Sequence, residues 1–97
     1  RPQVYVVAVT PEDRPHVLRL ADSLRRENLG RVDLDYREKS PKAQFKEAGK
    51  TGARTCVVLG PDEREAGVAV LRNMDTREES SVSFAELPDA IRQQLQS

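Results

Sequence analysis

Several features are scarce in this 97-residue chain, and each scarcity excludes a class of protein. There is one cysteine, Cys56, so an internal disulfide framework is excluded and no cysteine spacing suggests a metal site. No apolar run approaches the roughly 20 residues that cross a bilayer, and no signal-peptide pattern is present. A chain with so few thiols is typical of a reducing compartment, and we therefore expect a cytoplasmic protein.

The residue pairings that carry catalysis are also missing. The single histidine, His16, has no serine or cysteine partner at a recognisable spacing. Cys56 lies inside an apolar run, where a thiol is usually an inert hydrophobic group. The segment Thr10-Pro11-Glu12 follows the first predicted strand and is stiff and acidic, unlike a glycine-rich phosphate loop. We therefore expect no catalytic residue, no metal and no cofactor in this chain.

Length and composition fit one globular domain. Hydrophobic residues make up 37% of the chain and charged residues 33%. A chain of this length buries roughly 60–65% of the surface that its unfolded state exposes, which is enough for a modest core. The sequence starts at Arg1-Pro2 without methionine, and strand character begins at Val4. We therefore expect residues 1–97 to be a single domain taken from a longer protein.

Hydrophobic patterning predicts the element order β-α-β-α-β-β-β-α. Strands are predicted at 4–9, 32–36, 55–59, 68–72 and 80–84. The first helix is predicted to start within residues 10–13 and to end at Gly30, and the second to run from Ser40-Pro41 to Gly52. The third is predicted to run from the capping sequence 83–86 to about Leu95, and residues 61–67 are predicted to form a loop.

This order predicts a three-layer α/β/α sandwich. Two right-handed crossovers place the first three strands in parallel, and the last two strands extend the sheet. The first and third strands have the most continuous apolar character, so we expect them to be central, with helices on both faces.

Positive charge is concentrated in one segment of an otherwise neutral chain. The chain has 16 basic and 16 acidic residues, but residues 37–54 hold six basic and two acidic ones. On an ideal helix four lysines of this segment fall within a sector of about 80°. These are Lys39, Lys42, Lys46 and Lys50.

Two interpretations of this lysine ridge stay open from composition alone. Like charges at i,i+4 destabilise a helix by a few tenths of a kcal/mol per pair, so an uncompensated ridge favours a polyanionic partner. However, lysine is also a good helix former that keeps a surface soluble, and the ridge could face only solvent.

The order of motifs resembles a known family. The stretch KSPKAQFKEAGKTGARTCVVLG (39–60) is followed by PDEREAGVAVLRNMDTREESSVSFAEL (61–87). It combines K-S-x-K-x-Q, G-A-R before a V-V-L-G strand, E-x-x-x-G-V and D-T-x-E. In this order and spacing the motifs resemble the C-terminal anticodon-binding domain of class IIa aminoacyl-tRNA synthetases, above all the histidyl enzymes. The resemblance covers residues 4–95.

The resemblance implies a fold and a set of RNA-binding residues. The family has a five-stranded mixed sheet in the order 2-1-3-4-5 with strand 4 antiparallel. Residues matching the family's anticodon-binding positions are Glu38, Ser40, Lys42, Glu63 and Arg72, of which Glu38 and Ser40 depart from the usual Asn and Lys. The lysines Lys39, Lys46 and Lys50 would contact the tRNA backbone.

Three further features bear on the resemblance. Arg77 stands where the family commonly has glycine in a hairpin turn, so we expect that turn to differ or to be longer. Gly49 lies within the second helix, and we expect the helix to fray beyond it. The four aromatic residues, Tyr5, Tyr36, Phe45 and Phe84, are interpreted as core or edge packing rather than base-stacking groups.

The function implied by the resemblance is recognition of a histidine tRNA through its anticodon loop. A separate catalytic domain, using ATP and Mg²⁺, would attach the amino acid, and the parent enzyme would be a homodimer. No membrane or DNA partner is expected. The alternative is a synthetase-derived domain reused to sense uncharged tRNA or to mediate protein interaction or dimerisation, without aminoacylation.

Overall fold

The computed structural model describes residues 2–96. Its elements are β1 Val4–Ala8, α1 Arg14–Arg25, β2 Val32–Leu34, α2 Pro41–Thr51, β3 Thr55–Leu59, α3 Pro61–Ala66, β4 Val68–Asn73, β5 Glu79–Ser83 and α4 Leu87–Gln96, with a 3₁₀ turn at Pro11–Asp13. The sheet order is β2-β1-β3-β4-β5. Strands β2, β1 and β3 are parallel, and β4 is antiparallel to both of its neighbours. The predicted sheet is confirmed.

Two apolar layers hold the helices against the two faces of the sheet. On one face α1 and α4 pack on the strands through buried side chains such as Leu24, Leu87 and Ile91. On the other face α2 packs through Ala48 against Tyr5, Val7, Cys56 and Val58. Alternate residues of β1 and β3 therefore point into two different layers, which explains their continuous apolar sequences.

Local sequence determines both ends of α2. Ser40 precedes the helix in an extended conformation, and its hydroxyl oxygen accepts a hydrogen bond from the N–H of Ala43 at 3.2 Å. Pro41 takes the first helical position, where a proline removes no helical hydrogen bond. Gly52 ends the helix with φ of +78°, a left-handed conformation that favours glycine. The helix is continuous through Gly49, so the expected fraying is wrong.

Several predicted boundaries are wrong, and one of them is the end of β2, which lies at Leu34 rather than Tyr36. Residues Pro61–Ala66 form the short helix α3 rather than a loop, and the Glu63 carboxylate accepts a hydrogen bond from the Gly60 N–H at 2.9 Å to cap its first turn. Helix α1 ends at Arg25 instead of running to Gly30, because the chain leaves helical geometry at Asn28, where φ is +59°.

The β4–β5 turn accommodates a residue where glycine is common in the family. Arg77 has φ of +68°, and its N–H donates to the Asn73 carbonyl at 2.7 Å. The Asn73 side-chain oxygen accepts from the N–H groups of Asp75 and Thr76 at 2.9 and 3.1 Å. Hydrogen bonds accepted by the side-chain oxygen and the carbonyl of Asn73 therefore hold Arg77 in the left-handed region.

The interpretation of the four aromatic residues as packing groups is wrong for two of them. Tyr5 is buried and Phe45 is half-buried, but the side chains of Tyr36 and Phe84 are 64% and 41% exposed.

Candidate nucleic-acid interface

Three lysines lie along the exposed side of α2. Lys42, Lys46 and Lys50 are four residues apart, so they form a row about 12 Å long, called the lysine face below. None of them forms an ion pair with another residue between 2 and 96. Their charge is therefore available to a partner.

Lys39 does not belong to the lysine face, which corrects the predicted four-lysine ridge. It precedes the helix, and its Nζ lies 3.9 Å from Oε1 of Glu47. The same carboxylate oxygen lies 3.7 Å from the Arg37 guanidinium. Glu47 thus compensates two cations beside the helix and leaves the lysine face uncompensated.

Glu38, Lys39 and Ser40 border a cleft of about 120 Å³ between the end of β1 and the start of α2. The Glu38 side chain is mostly exposed, with its Oε1 4.0 Å from Nε of Arg14. The Ser40 oxygen caps α2 as an acceptor, which leaves the hydroxyl hydrogen to donate elsewhere. The cleft therefore offers an exposed acceptor and an exposed hydroxyl donor.

Glu63 lies at the same end of the sheet, on α3. One of its oxygens, Oε1, accepts the Gly60 N–H, so this bond leaves Oε2 as an acceptor for other groups. A Cβ atom at Gly60 would come within 3.1 Å of Val9, which also lines the cleft. Glu63 is therefore tied to Gly60, which packs close to Val9, but Glu63 does not itself line the cleft.

Arg72 is held on β4, apart from this cleft. Its guanidinium carbon lies 4.7 Å from the centre of the Phe45 ring on α2, a cation–π contact. Its buried Nε lies 3.0 Å from Oε2 of Glu79 on β5, but the N–H does not point at this oxygen, so the contact is an ion pair without an aligned hydrogen bond. The ion pair uses Nε, and the terminal nitrogens can still donate as a fork.

The strands around Arg72 present an open surface. Helix α4 contacts β3, β4 and β5 on the opposite face of the sheet, whereas α2 contacts β1. Side chains alternate along a strand, so Val68, Val70 and Arg72 share the α2 side of β4, with Ser81 opposite Val70. Val68 and Val70 are half-buried and Ser81 is exposed. This open surface adjoins α2 and could receive unstacked bases.

Asp35 is a buried acidic residue to which the sequence analysis gave no role. Its carboxylate accepts hydrogen bonds from the N–H groups of Arg37 at 3.0 Å and Lys39 at 2.7 Å, and it lies 3.8 Å from the Arg14 guanidinium. Burial by itself would raise the pKa of Asp35, but the two N–H groups and the positive charges of Arg14 and Lys39 outweigh it and lower the pKa. The carboxylate is therefore held ionised beside the cleft.

Gln44 is a second buried polar residue, 2% exposed. Its side-chain oxygen accepts from the N–H of Ala8, and its amide nitrogen donates to the carbonyls of Ala8 and Lys39, over distances of 2.9, 2.9 and 2.7 Å. Gln44 is the Gln of the K-S-x-K-x-Q motif. Its partner Ala8 is 36 residues away, so no local sequence pattern indicated this contact.

The largest cavity described, about 640 Å³, lies on the α1 side of the sheet and contains none of the predicted site residues. His16 lies at its border with its two ring nitrogens 3.0 Å from Arg19 and 3.5 Å from Arg64. Cys56 is buried on the other face, and burial raises its pKa to about 12 although Arg72 acts in the opposite direction. Such a thiol is not a nucleophile at neutral pH.

Residues 2–96 contain no group of three or more His, Cys, Asp or Glu side chains arranged to hold a metal ion. No helix in this range combines the length and apolar character of a membrane span.

A mixed five-stranded sheet in the order β2-β1-β3-β4-β5 with helices on both faces defines a three-layer α/β/α domain. The family model described as "Anticodon binding domain" matches residues 3–94. This chain belongs to the anticodon-binding domain family.

Relatives of this chain include histidine–tRNA ligases. The enzyme of Rubrobacter xylanophilus is 44% identical over 79 residues, which cover 81% of this chain and 18% of that protein. The enzyme of Acetivibrio thermocellus is 37% identical over 87 residues, which cover 90% of this chain and 21% of that protein. The chain thus spans about a fifth of the length of these curated relatives.

Solved structures agree with this assignment. The histidyl-tRNA synthetase of a Nostoc species superposes with a TM-score of 0.89 at 31% identity, over 97% of this chain and 22% of that one. The RNA-binding domain of threonyl-tRNA synthetase from Cryptosporidium parvum superposes with a TM-score of 0.86 at 17% identity, over 96% of this chain and 23% of that one. The second likeness shows the fold alone.

Proposed function

We propose that this chain binds the anticodon loop of a histidine tRNA for a longer histidine–tRNA ligase. The observation that carries the proposal is the lysine face, which has no internal ion-pair partner among the described residues and flanks the open β4–β5 surface that holds Arg72. In this proposal the attachment of histidine, with its use of ATP and Mg²⁺, belongs to a catalytic domain of a homodimeric, cytoplasmic parent.

The proposed division of labour follows from the geometry. The lysine face is an exposed row of point charges, which suits the phosphate backbone and carries no sequence information. Lys42, at its amino end, is also the lysine that the resemblance places among the anticodon-binding residues. Arg72 can donate in a fork to a base edge or a phosphate, and Glu63 and Glu38 can accept from amino or imino groups of unstacked bases. Ser40 can donate its hydroxyl hydrogen. Lys39 would add to the backbone contacts if RNA displaces it from Glu47.

The test is a titration of the chain with two RNA hairpins, one carrying a histidine anticodon loop and one with the loop scrambled. About three lysine–phosphate contacts predict a slope of about −2 to −3 in log K against log salt. Arg72→Ala is expected to reduce discrimination between the loops. Lys46→Ala is expected to weaken both complexes equally and to make the slope shallower by about 0.7–0.9.

A matched control is Arg26→Ala, which removes one exposed positive charge at the end of α1, on the opposite face of the sheet. It is expected to leave both affinities close to those of the unchanged chain. Equal affinity of the unchanged chain for the two hairpins would overturn anticodon recognition while allowing general RNA binding. A larger loss of discrimination in Lys46→Ala than in Arg72→Ala would overturn the assigned roles.

A further inference from the structure

The segment 36–40, which carries Glu38 and Ser40, has a backbone that local preferences do not explain. Glu38 has φ of +56°, in the left-handed region that non-glycine residues rarely adopt. No glycine relieves this conformation, because residues 36–40 read YREKS. A strained backbone of this kind persists only where its surroundings impose it.

Asp35 imposes part of this conformation from the N-terminal side. Its two carboxylate oxygens accept hydrogen bonds from the N–H groups of Arg37 and Lys39. The backbone therefore turns around the Asp35 carboxylate, and Glu38 lies between the two bonded residues. Arg14 donates to the backbone carbonyl of Asp35 at 2.5 Å and anchors the start of the segment to α1. The Asp35 residue itself is 5% exposed.

Gln44 imposes the rest from the C-terminal side. Strand β2 ends at Leu34, which pairs with Val6, so on the β2 side β1 has no strand beside it at Ala8, although β3 pairs with Ala8 on the other side. The Gln44 amide takes that place: it accepts the Ala8 N–H and donates to the Ala8 carbonyl, the two bonds that successive peptide groups of a parallel strand would otherwise make. Its second N–H donates to the carbonyl of Lys39 and so ties the segment to the sheet.

We propose that Gln44 and Asp35 are positioning residues for RNA binding, which hold segment 36–40 in the conformation that presents Glu38 and Ser40 to the RNA. The inference rests on the proposed function. Both residues are buried, so they act through the segment and not by touching the RNA. Neither side chain forms a hydrogen bond or an ion pair with Lys42, Lys46 or Lys50, so the lysine face can contact RNA directly.

The direct variant is Gln44→Met, which keeps the approximate volume of the side chain and removes its three hydrogen bonds. If the binding conformation of the segment is then populated in about one molecule in ten, the apparent Kd for the histidine anticodon hairpin rises about tenfold. The scrambled hairpin, held mainly by the lysine face, should lose much less affinity. The salt slope should stay unchanged, because the lysine–phosphate contacts remain.

A second variant covers the possibility that Gln44→Met folds poorly. Asp35→Asn keeps the shape of the side chain but replaces one acceptor oxygen by an NH₂ group, which cannot accept from Arg37 or Lys39. It should show the same loss of discrimination. The control is Thr55→Val, which removes the hydrogen bond that the buried Thr55 hydroxyl accepts from Gln94, at the amino end of β3 and away from the cleft.

The measurements are hairpin affinities for the unchanged chain and the three variants, together with hydrogen exchange of the backbone amides. In Gln44→Met and Asp35→Asn the amides of Arg37 and Lys39 should exchange about tenfold faster, while that of Val57 in the central strand stays protected. Thr55→Val should change neither the exchange of segment 36–40 nor the discrimination between hairpins.

The possible failures are distinguishable. If the unchanged chain does not discriminate between the hairpins, the proposed function fails and this inference fails with it. If the unchanged chain discriminates and the folded Gln44→Met and Asp35→Asn variants discriminate equally well, only the inference is overturned. It is also overturned if Thr55→Val loses discrimination to the same extent, because general destabilisation would then explain the loss.

Discussion

Replacing Gly49 by alanine should stabilise the protein. Gly49 lies in the interior of α2 on its exposed side, and a Cβ atom there would meet no other atom within 4 Å. Its φ lies outside the left-handed region, so alanine adopts the same backbone without strain. Glycine in a helix interior costs roughly 0.5–1 kcal/mol relative to alanine, mainly through the entropy of the unfolded chain. The free energy of unfolding should rise by that amount.

Gly67→Ala is the matched comparison, because a Cβ atom at Gly67 would also meet nothing within 4 Å. The two glycines differ in backbone conformation, since Gly67 ends α3 with φ of +73°. Alanine there must adopt the left-handed region, which costs about 1–2 kcal/mol and exceeds the entropic gain. Gly67→Ala should therefore destabilise the protein by about 1 kcal/mol, and the two variants should differ by about 2 kcal/mol.

Urea unfolding followed by far-ultraviolet circular dichroism measures both effects, with the m-value as a check that the transition has not changed in kind. A gain of 0.5–1 kcal/mol corresponds to an increase in Tm of about 2–8 °C for a domain of this size. If Gly49→Ala lowers the stability, or if Gly67→Ala matches it, the assignment of a continuous α2 and of a left-handed end to α3 is refuted.

Two further predictions concern stability. The pKa of Asp13 is lowered, because hydrogen bonds from Thr10 and Arg64 outweigh the opposing effect of burial, and that of Asp35 is lowered for comparable reasons. A lowered pKa contributes stability that is complete above the unfolded-state value of about 3.9 and is lost as the pH falls below it. The free energy of unfolding, measured as a function of pH, should therefore fall in acid, and this fall should be smaller in an Asp13→Asn, Asp35→Asn double variant. An equally steep fall in the double variant would contradict the assignment. Arg77→Gly should stabilise the β4–β5 turn by about 0.5–1 kcal/mol, because φ is +68° there, and a fall in the urea midpoint would show that the side chain of Arg77 contributes more than its backbone strain costs.

The sequence predicted those features that depend on neighbouring residues or on chain topology. Ser40, Pro41 and Gly52 predicted both ends of α2 correctly, since caps and terminators act within a few residues. The sheet order followed from right-handed crossovers together with the family resemblance. Helix α3 was missed because six residues are too few to show an apolar period, although Pro61 and Gly67 carried its start and stop signals.

The site was less predictable, because its geometry depends on contacts between distant residues. The predicted residues Glu38 and Ser40 do lie together at one cleft, but Glu63 does not line it and Arg72 lies apart over Phe45. Whether these residues read bases stays a prediction. Spacing alone placed Lys39 on the lysine ridge, whereas the structure pairs it with Glu47 outside the helix. Periodicity describes a helix well but does not describe the segment that precedes it.

The amide of Gln44 also affects how the sheet meets other protein chains. Strand edges with free N–H and C=O groups invite pairing with a second sheet, and natural proteins keep such edges short or covered. Beyond Leu34 the strand β1 would become the edge, and Gln44 already occupies its hydrogen-bonding groups at Ala8. An incoming strand on this side therefore meets only β2, which has three residues. The same side chain that organises the segment before α2 thereby limits the length of edge available for self-assembly in concentrated solution.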